Sequence, residues 1–323
     1  MLEMDLLSIL RFITGQKSIF PFYHAVSDDI PIHLRHLYEV RNSSLFEQDI
    51  QFFTTNYKSI SATDIINYRN KTGFCISFDD GLREFKEVAW PILKKYNLPV
   101  ILFVNPDFVD NKALFFRYKA SILVDKINKT DVKDYKQVNN LFKAGLKTKA
   151  QIIKRILNIA YKDKLMLDNL AEIFEVDFNL YLQQKEPYLK LQELRELQAE
   201  GVIIGAHSMD HPLFNQLSLE NQFQQIKDST SWIKKQINPK KIYFSFPFTD
   251  YGLSAKLFSN MYKQNGFDLD LSFGTAGIKN ERFKKHIQRI PLENSLKSAK
   301  SIVLGEYLYY LAKAPFFKNK IRR

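Results

Sequence analysis

The chain holds a single cysteine, Cys75, in 323 residues. No intramolecular disulfide can form, so the fold does not require an oxidising compartment. Cys75 sits in the apolar run GFCISF and reads as a small buried residue. No apolar run is long enough to span a bilayer. The amino-terminal stretch MLEMDLLSILRFITG carries Glu3 and Asp5 and has no basic stretch ahead of an apolar core, so it does not read as a secretory leader. These absences point to a cytoplasmic protein. Internal repeats and low-complexity linkers are also absent, which argues for one continuous globular unit over residues 1–323.

Hydrophobic residues make up 45% of the chain, enough for a full core, and the formal net charge is +12. An excess of positive charge suits an anionic partner such as nucleic acid, a membrane face or an anionic glycan. It suits equally a lysine-rich composition with no such partner. No basic and aromatic motif of a nucleic-acid-binding kind is present, so no nucleic-acid partner is expected.

Short apolar runs alternate with amphipathic stretches, the pattern of a parallel α/β fold. Strands are expected at Ser18–Tyr23, Phe74–Phe78, Val100–Val104, Val202–Ala206, Ile242–Phe246 and Leu269–Phe273, with a short one near Lys58–Ile60. Helices are expected over Glu84–Tyr96 and over Leu219–Gln236, the latter with Ser218 as its N-cap. From about Asn111 to Tyr188 the chain is polar, lysine-rich and helically periodic, and it holds no histidine or cysteine. This span reads as a helical insertion in a barrel-like domain, without a metal site of its own. A basic tail is expected from about Leu304 to Arg323, mixing aromatics with five basic residues beyond Leu311, and it suits peripheral contact with an anionic leaflet.

Two segments carry chemistry. In GAHSMDHPLF, His207 and His211 stand four apart directly after the apolar run VIIGA, so both fall at a strand's C-terminal end, where α/β folds build their sites. That spacing suits a metal pair, and it suits a capping or surface pair as well. In SFDDG, Asp79 and Asp80 end another apolar strand. Side chains of neighbouring strand residues diverge, so one carboxylate can ligate a cation while the other addresses a water, and Gly81 lets the backbone turn at once. Helix capping is the competing use of either aspartate. Taken together, two imidazoles and one carboxylate make a common catalytic zinc set with room for water, and the spare carboxylate can serve as general base.

These segments resemble the polysaccharide deacetylases of carbohydrate esterase family four. SFDDG is similar to that family's first motif, and HSMDHP to its second. FSFPFTDYG at 244–252 is similar to the aromatic-proline-aromatic third motif that lines the substrate groove. FPFYHAVSDD at 20–29 and HIQRIPLEN at 286–294 resemble the opening and closing segments of one branch. The resemblance implies a distorted (β/α) barrel with about seven strands. It implies metal-dependent hydrolysis of N-acetyl groups on a carbohydrate, with a metal-bound water as nucleophile and zinc as the expected ion. Asp80, His207 and His211 would be the ligands and Asp79 the base. Phe246, Pro247 and Phe248 would line the groove, with a backbone N–H near Phe248 helping to hold the oxyanion.

The sequence departs from the pattern at two places. Many members carry an arginine where this chain has Ser245, and Arg289 of the closing segment is the candidate to orient the base instead. The family's usual acid sits in a Leu-x-His motif late in the domain, and no such late motif is clear here, which leaves His24, at a strand end, and His286, in FKKHIQR, as candidates. The latter context also reads as a solvated lysine-rich turn. These departures keep a catalytically degenerate glycan-binding relative as the alternative reading.

Overall fold

The computed structural model describes residues 5–68, 71–130, 136–262, 269–293 and 295–323. Parallel neighbours need a crossover between them, so the connections lie outside the sheet and the strands close around a common interior. The barrel strands are β1 (Pro21–Tyr23), β2 (Ile76–Phe78), β3 (Val100–Val104), β4 (Ile203–Ala206), β5 (Tyr243–Ser245), β6 (Leu271–Gly274), β7 (His286–Gln288) and β8 (Ile290–Pro291). Their order is β7-β6-β5-β4-β3-β2-β1-β8, with every pairing parallel. β7 and β8 are halves of one segment, parted only by Arg289. The first half pairs with β6 and the second with β1, so residues 286–291 join the two edges of the sheet. Counted as one stave, this segment completes a distorted (β/α) barrel of seven strands.

Two expected strands are each divided between sheets. Ser18–Ile19 and Gly73–Phe74 pair with each other, and Lys58–Ser59 adds to them in a small three-stranded parallel sheet. Past Phe20 and Cys75 the chain crosses into the barrel as β1 and β2. The segment around His286, expected as a lysine-rich turn, is instead strand β7, with His286 fully buried.

Alternation along β3 sorts its side chains. Val100, Leu102 and Val104 join the core beneath the outer helices, while Ile101 and Phe103 fill the barrel with Tyr243, Leu271, Phe273, Ile287 and Cys75. Gly205 on β4 makes room inside: a Cβ there would stand 2.6 Å from the Phe103 ring and 3.1 Å from the Tyr243 carbonyl. Outside, Leu219–Gln236 is a helix capped by Ser218, as expected. The expected Glu84–Tyr96 helix begins as a wider π-type turn, Phe85–Ala89, before Trp90–Lys95.

Between β3 and β4 lie the helices Phe116–Lys129, Lys136–Phe142, Lys149–Leu157, Met166–Ile173 and Phe178–Lys185, with no strand among the described residues of 111–188. Their apolar faces build a core of their own, with Leu123, Ile127, Ile152, Ile156 and Leu170 at its centre. Residues 131–135 of the expected insertion, and Asn294 of the closing segment, lie outside the described residues.

The stretch read as a basic tail is largely ordered structure. Helix Ala299–Lys313 runs through its first half and packs on helix Leu6–Thr14. Lys320 then bridges to Asn280, and Arg323 turns inward. Its guanidinium pairs with Asp250 and, at 2.6 Å, with Glu281, and it covers the Phe258 ring at 4.0 Å.

Candidate active site

The charged and imidazole groups of the site lie past the C-terminal ends of strands or are carried there by the closing segment. β2 ends at Phe78 and delivers Asp79 and Asp80; β4 ends at Ala206 and delivers His207. The turns are tight. Asp80, Ser208, His211 and Phe248 all have positive φ (72°, 63°, 60° and 56°), backbone that costs of order 1–3 kcal/mol per residue and clusters where function holds it. Gly81 follows at φ 67°, and a Cβ on it would come within 2.8 Å of Val104.

Asp80, His207 and His211, from segments far apart in sequence, converge with ligand atoms within 4.8 Å of one another, all three side chains buried. Asp80 Oδ1 lies 3.3 Å from His211 Nε2 and 3.6 Å from His207 Nε2. His207 Nδ1 donates to the Ser245 carbonyl at 2.9 Å, which turns a bare Nε2 lone pair towards Asp80. Burial drives His207 down to about 4, so this imidazole is neutral. Burial opposes the charged form of Asp80, but His211 and His24 outweigh it and hold the carboxyl well below the usual range. Asp80 Oδ1 is nevertheless buried with no hydrogen-bond partner. An ionised oxygen without a donor, facing two imidazole nitrogens, fits a divalent cation.

Asp79 points the other way, to Arg289. The guanidinium is fully buried and all five of its N–H bonds have acceptors. Nη1 and Nη2 donate to Asp79 Oδ1 and Oδ2, both at 2.8 Å. Nη1 also donates to Ser77 Oγ (2.9 Å), Nη2 to Ser245 Oγ (2.6 Å) and Nε to the Gly274 carbonyl (3.2 Å). Phe22 lies 4.2 Å from the guanidinium carbon. Burial alone would raise Asp79; the Arg289 guanidinium holds it below the usual carboxylate range. Ser245 therefore stands where the small side chain leaves space for an arginine arriving from the closing segment.

A cleft of about 390 Å³ opens over these groups, lined among others by His24, Tyr38, Asp79, Asp80, Phe115, His211, Phe248 and Glu293. His24 Nδ1 meets Glu293 Oε2 at 2.6 Å, and Glu293 also accepts from the backbone N–H groups of His24 and Ala25. Burial pulls His24 down, but the Glu293 carboxylate more than reverses this and raises it to about 9. Nothing in the closing segment marks Glu293 for a role; only the pairing of β8 with β1 brings it to His24.

The other expected site residues divide. Phe248 is half-exposed at the cleft mouth, its ring 4.6 Å from that of His211. Phe246 does not face the groove: it is fully buried against Phe214, Phe244 and Phe258, because it follows β5 on the outward side. Pro247 is buried and is not in the cleft lining. His286 is not in the lining either. It hydrogen-bonds Ser272 (2.6 Å) and meets Asp250 at 3.0 Å, in a cluster whose cation is the Arg323 guanidinium.

A parallel barrel with paired carboxylates and imidazoles at the mouth of its strands defines the class, a hydrolase of the (β/α)-barrel type. The chain matches the polysaccharide deacetylase model over residues 67–269, more than half its length, and belongs to that family of carbohydrate N-deacetylases. Its fold is shared with solved structures of low identity. A deacetylase of Streptococcus pyogenes, PplD, solved in complex with acetate, aligns with TM-score 0.55 and 16% identity over 89% of this chain and 98% of that one. IcaB from Ammonifex degensii aligns at 0.54 and 13%, over 90% and 96%. A de-N-acetylase from Aggregatibacter actinomycetemcomitans aligns at 0.51 and 16%, over 88% and 99%. No curated protein matches the chain in sequence.

Proposed function

We propose that this protein removes N-acetyl groups from a carbohydrate or glycan precursor, with a divalent ion, zinc in the first instance, held by Asp80, His207 and His211. The observation that carries this reading is the unpartnered, buried Asp80 Oδ1 facing two imidazoles beside a second carboxylate clamped by Arg289. A bound ion would supply a Lewis acid for the acetyl carbonyl and acidify a water. Asp79, kept ionised by Arg289, accepts the proton of the attacking water. His24, with Nδ1 engaged by Glu293 and its protonated form favoured, gives a proton from Nε2 to the leaving amine. The C–N bond breaks and acetate and a free amine leave. Phe248 and Phe115 at the cleft mouth offer apolar faces to a sugar ring. Residues 111–188 act as an insertion within one catalytic unit.

The test is acetate release from N-acetylated sugars by metal-loaded and chelator-treated protein, with metal content measured alongside. Release that tracks bound metal supports the reading. Stoichiometric metal without release from any such sugar would favour a glycan-binding relative.

We also infer peripheral contact with an anionic membrane, at the inner face if the protein is cytoplasmic. Among the described residues no helix is long and apolar enough to cross a membrane. Helix Leu6–Thr14, however, exposes Leu6, Phe12 and Ile13, and Phe316 and Phe317 are also exposed, near Lys318 and Lys320. Sedimentation with phosphatidylglycerol vesicles, abolished by Phe12→Asp, is the expected result; no binding to such vesicles rejects it.

A further inference from the structure

The helical insertion reaches both loops that carry the candidate ligands. Tyr161 and Lys164 donate to Asp210, which lies between His207 and His211, Lys164 at 2.7 Å. The more telling contact is at Asp80. Tyr118, in the first turn of helix Phe116–Lys129, is fully buried and donates its hydroxyl to Asp80 Oδ2 at 2.6 Å. Since that carboxylate can only accept, the phenol proton is committed to it. Tyr38 Oη, 3.3 Å from Tyr118 Oη, must then donate to Tyr118. The ring is held between neighbours, 4.9 Å from Phe115 and 5.0 Å from His33. Asp80 thus has one oxygen fixed by the insertion and the other, Oδ1, left without a partner and turned to the two histidines.

Resting on the proposed metal centre, we propose that Tyr118 is a positioning residue for the ion: its hydroxyl fixes the Asp80 carboxylate so that Oδ1, and not Oδ2, is presented beside His207 and His211. The insertion is then part of the metal site, although it contributes no ligand. A carboxylate whose second oxygen is hydrogen-bonded cannot swing away from the ion, and loss of such an outer partner weakens metal binding by about ten- to a hundredfold.

The experiment is zinc affinity measured by competition with a chromogenic chelator, together with a thermal melt of the chelator-treated proteins. Tyr118→Phe keeps the ring and its packing and removes one O–H. Its zinc dissociation constant is expected to rise about ten- to a hundredfold. Tyr161→Phe, which touches Asp210 and no ligand, is expected to change it less than threefold. If Tyr118→Phe melts lower without zinc, the packing control is Tyr38→Phe, which removes the neighbouring phenol O–H but leaves the Tyr118 hydroxyl on Oδ2: it should change zinc affinity less than threefold, and a loss equal to that of Tyr118→Phe overturns the proposal. Zinc bound equally tightly by wild type and Tyr118→Phe overturns the proposal and leaves the metal centre standing. A wild type that binds no zinc, manganese or cobalt overturns the metal centre itself and this proposal with it.

Discussion

Replacing Arg289 with methionine is the sharpest probe of how the site is held. The substitution keeps most of the aliphatic stem but strips Asp79 of both its guanidinium bonds and leaves a carboxylate that is 2% exposed without its cation. Breaking a buried pair by removing one partner costs roughly 3–5 kcal/mol, because the surviving charge is uncompensated. At about 2–4 °C per kcal/mol in a domain of 150–250 residues, the melting midpoint should drop on the order of 10 °C. The pair's contribution is present above the ordinary carboxylate range and is lost as pH falls through the depressed pKa of Asp79, so the gap to wild type should narrow in acid. Asp79→Asn should cost a similar amount, since it strands the guanidinium. The double variant strands neither charge and should fall short of the summed loss by about 2–3 kcal/mol. The assay is urea unfolding of the four proteins in chelator at pH 7. Strictly additive losses would refute the coupling and, with it, the claim that Arg289 is what keeps Asp79 ionised.

Three further outcomes follow from particular contacts. Asp79→Asn should lower acetate release by about a hundredfold to ten-thousandfold while metal content stays at the wild-type level, and unchanged release per bound metal would mean the base lies elsewhere. The His24–Glu293 pair raises His24 from 6.5 to about 9, so its stabilisation is complete below pH 6.5 and disappears as pH climbs through 9. Metal-free Glu293→Gln should therefore lack the alkaline loss seen in metal-free wild type, and the metal-loaded variant should show its acetate-release optimum at lower pH; matching melt profiles from pH 6 to 10 would contradict the pairing. Gly205→Ala drives a methyl to 2.6 Å from Phe103 inside the barrel and should destabilise by roughly 1–3 kcal/mol, read from the shift in urea midpoint.

The legible parts of this molecule were those written locally. VILFV is a strand because five consecutive apolar residues end at a turn, and SFDDG and GAHSMDHP declare themselves as strand ends bearing candidate ligands. What depends on distant partners was not readable. Nothing in Phe20 or Cys75 marks the switch between two sheets, because alternation tells which face a residue takes and not which neighbour it pairs. HIQRIP was obscured by the lysines before it, and Ile287 and Ile290, three apart, fall on opposite faces of the strand, so no period-two pattern marks it. FSFPF reads as a groove of aromatics, yet only Phe248 reaches it, since Phe246 turns outward into the core. In FFRY at 115–118 nothing local says that the Tyr118 hydroxyl meets Asp80, 38 residues away in sequence.

The segment 286–291 bonds to β6 on one side and to β1 on the other. Its consequence lies in time. β1 is made early in synthesis and must wait for almost the whole chain to emerge before its last neighbour exists, so ring closure is a contact of very long sequence separation and a slow step. Arg289 sits at the midpoint of that closing segment. Asp79 consequently receives its counter-charge only when the ring shuts, and a nascent or partly opened chain carries the paired aspartates without the clamp that fixes the proposed base. Refolding followed by Phe22 and Phe273 solvent protection should reach completion together with recovery of activity, with no earlier active species.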